Sequence, residues 1–225
     1  VKDNILDNKD NILKNIQTTL EAIERAEGVW EQNENWENRT VKPDWGMKTK
    51  YASIPRSTGK LLKDLVIELN PKTILEIGSS VGYSTLWMAA GALEISGFGK
   101  VYSTEINPSR SALAKEHFKM ASTESIITLF ESDAKNILQD WDKISPDPID
   151  LVFLDAFKKD YPEYLDLIYP ILKDQGIIII DNIITHANLL EDFFKKIGAN
   201  NQISTQRIDR DNGLMLIKKL STQPR

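Results

Sequence analysis

The sequence contains no cysteine, which excludes disulfides, thiolate metal sites and a cysteine nucleophile together. Histidine is nearly as scarce. With two in 225 residues, any bound metal has to be held mainly by oxygen, which favours Mg²⁺ or Ca²⁺ over Zn²⁺. No run approaches the roughly 18 to 20 apolar residues that a membrane span needs, and the polar opening "VKDNILDNKDNILKN" has no apolar signal region. A cytoplasmic protein without a membrane partner is expected. An excess of positive charge is also missing: the formal net charge of −5 gives no electrostatic reason to bind a nucleic-acid backbone, so a small molecule is the better default partner. What is present is a hydrophobic content of 41%, ordinary for a chain that builds a sizeable core.

The chain divides into a polar N-terminal part and an alternating remainder. Ile12, Ile16, Leu20 and Ile23 recur at three- and four-residue steps, the stripe of a helix packed by one face. Residues 28–52 carry Trp30, Trp36 and Trp45 without a clear period and read as loop or lid, lining an acceptor pocket or packing a dimer. "STGKLLKDLVIEL", Ser57 to Leu69, reads as an amphipathic helix with Ser57 or Thr58 near its N-cap. After Pro71, short apolar runs alternate with helical segments. Strands are expected near Thr73–Ile77, Lys100–Glu105, Ile126–Phe130, Ile149–Asp155 and Ile177–Asp181, a βαβ rhythm that predicts a parallel α/β sheet covered on both faces. "QISTQRI" and "GLMLIKK" lie close together with no helix between them and predict an antiparallel edge hairpin. The expected organisation is an N-terminal helical and loop extension, residues 1–56, followed by one ligand-binding domain, residues 57–225.

In an open α/β sheet, ligands bind beyond the carboxyl ends of the strands. The first strand ends in "EIGSSVGYS", where Gly78 and Gly82 allow a tight turn before a helix starting near Tyr83. Ser80 and Tyr83 stand where a dinucleotide fingerprint needs its second and third glycines, which disfavours a pyrophosphate loop. Glu105 closes the second strand, a position from which a carboxylate accepts from both hydroxyls of a ribose. Adenosine without a pyrophosphate is the consistent fragment. Two further strands end on acids, "LVFLD" at Asp155 and "GIIIID" at Asp181, the latter followed by Asn182. Each acid alone reads equally well as a helix cap. Together with Asn182, all expected at one sheet edge, they would gather three oxygen ligands around one hard cation.

"ILEIGSSVGYSTL", "VYSTEINP", "LVFLDAFKKDYPEYL" and "IIIIDNI" resemble the successive motifs of the cation-dependent, S-adenosylmethionine-using O-methyltransferases, the family of the caffeoyl-CoA and catechol O-methyltransferases. The resemblance runs from about Ile54 to Lys218. It implies a class I methyltransferase fold, Rossmann-like, with a seven-stranded sheet of order 3-2-1-4-5-7-6 and strand 7 antiparallel. It also implies a transferase of the EC 2.1.1 class, S-adenosyl-L-methionine as methyl donor, a divalent cation (Mg²⁺ or Ca²⁺), a small catechol-like or phenolic hydroxyl acceptor, and a homodimer. Carried onto this chain, Asp155, Asp181 and Asn182 match the metal ligands and Lys158 the catalytic lysine. Glu105 matches the acid that holds the ribose; Glu76, Gly78 and Ser84 match the loop at the methionine end; Asp133 and Ala134 match the adenine contacts. Ile54 matches a backbone contact to the methionine part, Asp155 counts on the cofactor side as well, and Phe157 matches an aromatic gate beside the substrate. Departures are Phe157 where Asp is commoner, "MASTESI" without the Ala-Gly that often precedes the third strand, and Asn212 where Asp is usual. Residues before Ile54 align with nothing, and much of substrate choice would lie there.

Methyl transfer from a sulfonium to a hydroxyl is an in-line displacement, and a neutral phenol is a poor nucleophile at pH 7. A cation on Asp155, Asp181 and Asn182 would chelate neighbouring hydroxyls and favour the oxyanion. Lys158 would take the proton, for which it must first be neutral, a state that a nearby divalent cation favours. His186, close to Asn182, is either a helper at the site or a surface or cap residue. His117 reads as structural and Lys159 as solvated. Two other functions stay open at this point: an NAD(P)-dependent Rossmann oxidoreductase, and a methyltransferase-like adenosine-cofactor binding protein without turnover.

Overall fold

A computed structural model describes residues 2–33, 53–95, 98–145 and 147–221. The alternating part forms one seven-stranded sheet. Its strands are β1 (Thr73–Ile77), β2 (Lys100–Glu105), β3 (Ile127–Glu131), β4 (Ile149–Leu154), β5 (Leu172–Asp181), β6 (Ile203–Ile208) and β7 (Leu214–Lys219). They lie in the order β3-β2-β1-β4-β5-β7-β6, with β7 antiparallel to both neighbours and the other pairs parallel. This is the expected topology, and β1 and β2 have the expected bounds. The fifth strand is longer than its apolar run: Leu172 pairs with Ile149 across a register irregularity before the regular ladder begins at Ile177.

The apolar strands are continuous rather than alternating because both faces are covered. Ile74, Leu151, Phe153, Ile177 and Ile179 point into one core, while Leu75, Ile77, Val152, Leu154, Ile178 and Ile180 point into the other. The first core is roofed by α1 (Lys2–Asn33), α2 (Arg56–Leu69), α3 (Tyr83–Glu94) and α4 (Pro108–Met120). The second is roofed by α5 (Ala134–Gln139), α6 (Trp141–Ile144), α7 (Tyr161–Ile171) and α8 (Glu191–Gly198). Ile12, Ile16, Leu20 and Ile23 of α1 are all buried in the first core, so the stripe seen in the sequence docks this helix against α3 and α4. Each such burial contributes about 1.5–3 kcal/mol. The side chains of Trp30, Trp36 and Trp45 lie outside the described residues, and no described helix is long and apolar enough to cross a membrane.

Local signals explain the helix ends. Asn107 caps α4 by accepting from the Ser109 and Arg110 amides, with Pro108 in the first turn. The helix ends at Ala121, and Ser122 takes the left-handed conformation, φ +58°, that the absent glycine would have supplied. The N-cap of α2 is Pro55, so Ser57 and Thr58 lie inside the helix rather than at its cap.

Candidate active site

The carboxyl ends of β1, β2, β4 and β5 open into one cavity of about 610 Å³. Gly78 makes the junction. It sits at φ +94°, and a Cβ there would lie 2.3 Å from the Asp155 carbonyl oxygen, so only glycine lets the end of β1 pack against the end of β4. Gly78 and Ser79 donate their amides to the Thr104 carbonyl at 3.1 and 3.0 Å, folding the loop across the sheet edge. Gly82, at φ +86°, then starts α3.

Glu105 is buried at the end of β2. Its Oε2 accepts from the Ser80 amide and its Oε1 from the Asn107 amide, both at 2.8 Å. Each oxygen thus keeps a lone pair free while the group is held rigidly. Glu76 lies one layer below and is not part of the cavity wall. It is fully buried and accepts from the Ser84, Thr85 and Ser103 hydroxyls. Burial pushes its pKa up to about 7 against the pull of those three donors. As placed, Glu76 orients Ser84, which does face the cavity. Asp133 accepts from the Lys135 amide at 2.9 Å as the N-cap of α5 and lines the cavity together with Ala134.

On the other side, Lys158 is buried, and its Nζ donates to Asp155 Oδ1 at 2.6 Å and to the Tyr161 hydroxyl at 2.9 Å. Tyr161, fully buried, donates in turn to the Leu154 carbonyl at 2.9 Å. The lysine is thereby fixed to the strand end that carries Asp155. Asp181 is buried beside this pair, and its Oδ1 has no hydrogen-bond partner. Burial and then the nearby Asp155 charge push its pKa up to about 7. Neither aspartate occupies a helix N-cap; the turns that follow start from Phe157 and His186. Asn182 adopts the left-handed conformation, φ +67°, and faces the same cavity.

Of the residues singled out from the sequence, Ile54, Gly78, Ser84, Glu105, Asp133, Ala134, Asp155, Phe157, Lys158, Asp181 and Asn182 all line this one cavity. His186 lines it too, with burial lowering its pKa, whereas Lys159 is exposed and His117 Nδ1 lies 2.8 Å from the Val81 carbonyl. The sequence reading missed the buried, unpartnered hydroxyls of Ser79 and Ser80, the 69% exposed Ile106 beside Glu105, and Tyr161 behind Lys158. Two serines between the glycines were a legible signal; Tyr161 and Ile106 acquire meaning only from their neighbours in space. Among the described residues no group of three or more His, Asp or Glu side chains could hold a metal ion; the oxygen set here is two carboxylates and one amide.

Comparison with known proteins places this geometry. A catechol O-methyltransferase from Niastella koreensis is 29% identical over 140 residues, 62% of each chain. A caffeoyl-CoA O-methyltransferase from Stellaria longipes is 33% identical over 126 residues, 55% of this chain and 51% of that one. The matches thus span between about half and just under two thirds of these relatives' length. The crystal structure of an O-methyltransferase from Bacillus cereus in complex with SAH superposes with a TM-score of 0.73 at 21% identity, covering 90% of each chain. An O-methyltransferase of tomaymycin synthesis from Streptomyces achromogenes, solved with SAM, superposes at 0.69 with 22% identity over 75% of this chain and 82% of that one. The sequence model of one family, described as O-methyltransferase, matches residues 23–220, nearly all of the sheet and helices described above, and the chain belongs to that family.

Proposed function

We propose that this protein transfers the methyl group of S-adenosylmethionine to a hydroxyl of a small catechol-like or phenolic acceptor, with a divalent cation bound at the ends of β4 and β5. The observation that carries the reading is the pairing, in one cavity, of a rigid carboxylate suited to a ribose with a buried carboxylate oxygen that no protein donor satisfies. Membership of the O-methyltransferase family supports it.

Asp155, Asp181 and Asn182 fit a hard cation. They present oxygen ligands, Asp181 Oδ1 is buried without a donor, and the nearby Asp155 charge adds to the cost of ionising Asp181, a cost that a bound cation would offset. In the bound state S-adenosylmethionine supplies an electrophilic methyl group, and the cation, Mg²⁺ or Ca²⁺, supplies the charge that favours an acceptor oxyanion.

The chain's own residues do the rest. Glu105, with one free lone pair on each oxygen, accepts the two ribose hydroxyls. Ile106 offers an apolar face to the adenine, and Asp133 and Ala134 close the other side of that pocket. Ile54, Ser84 and the unpartnered hydroxyls of Ser79 and Ser80 meet the methionine end, near the turn at Gly78. Lys158 Nζ, held by Asp155 and Tyr161, would first release a proton to solvent and then, as the neutral amine, take the proton of the acceptor hydroxyl. Phe157 and Leu189, both partly exposed at the cavity, give an aromatic acceptor an apolar rim. Holding donor and acceptor in line is worth about 7–11 kcal/mol.

The test is a catechol methylation assay with S-adenosylmethionine, run with added Mg²⁺ and with EDTA. Methylated product that disappears in chelator is the expected result. Tight binding of S-adenosylmethionine without product would reduce the protein to a binder, and undiminished product in EDTA would remove the cation from the mechanism.

A further inference from the structure

The helix α2 begins without a cap of its own. Its N-cap is Pro55, no side chain caps it, and its first turn holds no acid. The exposed amides of a helix start favour a negative charge nearby. That charge comes from the β6–β7 turn. Asp211 Oδ2 accepts from Ser57 Oγ at 2.6 Å and from Thr58 Oγ1 at 2.8 Å. These hydroxyls hold the Asp211 carboxyl below the usual carboxylate range.

The same turn is fastened on its other side to the loop that follows Asn182. The Ile183 amide donates to the Gly213 carbonyl at 3.1 Å and the Ile184 amide to the Asn212 carbonyl at 3.0 Å. Gly213, at φ +82°, packs so closely there that a Cβ would lie 2.5 Å from the Ile184 side chain. Just before α2, Ser53 and Ile54 form part of the cavity wall. That wall is tied to α1 as well: Glu27 accepts from the Ser53 amide at 3.3 Å, and Glu24 accepts from Arg56 at 2.6 and 2.8 Å and from the Tyr83 hydroxyl at 2.5 Å.

We infer that Asp211 is a positioning residue, a strut across the cavity rim that fixes the Ser53–Ile54 wall relative to the Asn182–Ile184 loop. It touches no reacting group. It acts by holding two walls that come from distant parts of the chain at one separation, so its loss loosens the cavity rather than removing a chemical step. The strut is tolerant in one respect: an asparagine at position 211 also accepts from two hydroxyls and also adopts a left-handed backbone, which Asp211 has at φ +50°. Its effect on ligand affinity rests on the methyltransferase reading; its mechanical role does not.

The experiment compares Asp211→Ala, Asp211→Asn and the double variant Ser57→Ala/Thr58→Ala by amide hydrogen exchange and by titration with S-adenosylhomocysteine. Asp211→Ala is expected to speed exchange at Gly59, Ile183 and Ile184 together, at least fivefold, and to raise the dissociation constant for S-adenosylhomocysteine three- to tenfold at temperatures well below unfolding. Asp211→Asn should recover most of both effects, and the serine–threonine double variant should reproduce them without adding to Asp211→Ala. Exchange within twofold of wild type at either Gly59 or Ile183–Ile184 overturns the strut. Faster exchange with unchanged affinity overturns the positioning role and leaves only a structural contact. If the wild type itself does not bind S-adenosylhomocysteine, the methyltransferase reading falls, and the exchange data alone decide the strut.

Discussion

The two halves of the cavity treat their carboxylates in opposite ways. At the ends of β1 and β2, Glu105 receives two backbone amides and Glu76 three hydroxyls, so the acids are held by donors that the protein itself supplies. At the ends of β4 and β5, Asp155 has the Lys158 ammonium, while Asp181 keeps one buried oxygen without a donor. A half that holds its carboxylates with its own donors, while the Ser79 and Ser80 hydroxyls stay unpartnered, suits the neutral, hydroxyl-bearing fragment of the proposed function. The half that leaves Asp181 Oδ1 without a donor is the one where the proposed function puts a cation. Burying an unpaired carboxylate costs stability, and the Asp181 carboxyl answers by holding its proton up to about pH 7.

Lys158→Ala should break the charged half most severely. Turnover is expected to fall about 10²- to 10⁴-fold, the usual range for a lost general base, with S-adenosylhomocysteine affinity unchanged because the satisfied half is untouched. Steady-state kinetics and calorimetry on the same variant check both parts, and an unaltered kcat would exclude the lysine as base.

Asp181→Asn addresses the imbalance directly. The raised pKa means that the folded state holds this proton more tightly than the unfolded chain, so stability from the group is greatest below pH 3.8 and is lost as pH rises through about 7. The variant should therefore melt higher than wild type at pH 8 without metal, by a few kcal/mol at most, and lose this advantage at low pH. Added Mg²⁺ should raise the melting temperature of the wild type and leave the variant unmoved. Thermal melts across pH, with and without EDTA, provide the readout.

Glu76→Gln sharpens the comparison from the satisfied side. Burial raises this carboxyl from 4.5 to about 7, so its contribution also declines between those pH values as pH rises. That difference corresponds to about 3 kcal/mol at most. The variant should show a flatter stability profile over the same window, whatever its absolute stability, and a slope equal to that of wild type would show that Glu76 ionises freely in the fold. The smallest effect is expected for Glu105→Gln. Its amide group meets the donating amide of Ser80 or Asn107, so S-adenosylhomocysteine affinity should drop roughly tenfold, about the cost of one hydrogen bond to a charged group, while the metal response stays as in wild type.

Local chemistry in the chain was enough to place most of the framework. Thr73–Ile77 and Lys100–Glu105 are short runs rich in β-branched and aromatic residues between turn-forming segments, the composition of a strand. Asp155 and Asp181 stood out because an acid at the end of an apolar strand is chemically abrupt. Alone, each was as good a cap as a ligand. Their separation in the sequence hides that they share a cavity, and the cap reading fell only when neither acid was found at a helix start. Glu76 shows the opposite case: its motif position suggested the cavity, but strand alternation turns its side chain under the loop to orient Ser84. Asp211 carried no local signal, since its partners in α2 lie far away along the chain.

By itself the sequence determined the order of strands and helices, the loop at Gly78, the carboxylate at Glu105 and the oxygen-rich ends of two strands, because apolar periodicity and turn chemistry act over a few residues. Only the tertiary structure decided which of those groups are satisfied and which are left wanting a partner. Hydrogen bonding and desolvation depend on who stands across the cavity, and that is a property of chain packing, not of neighbours in the sequence.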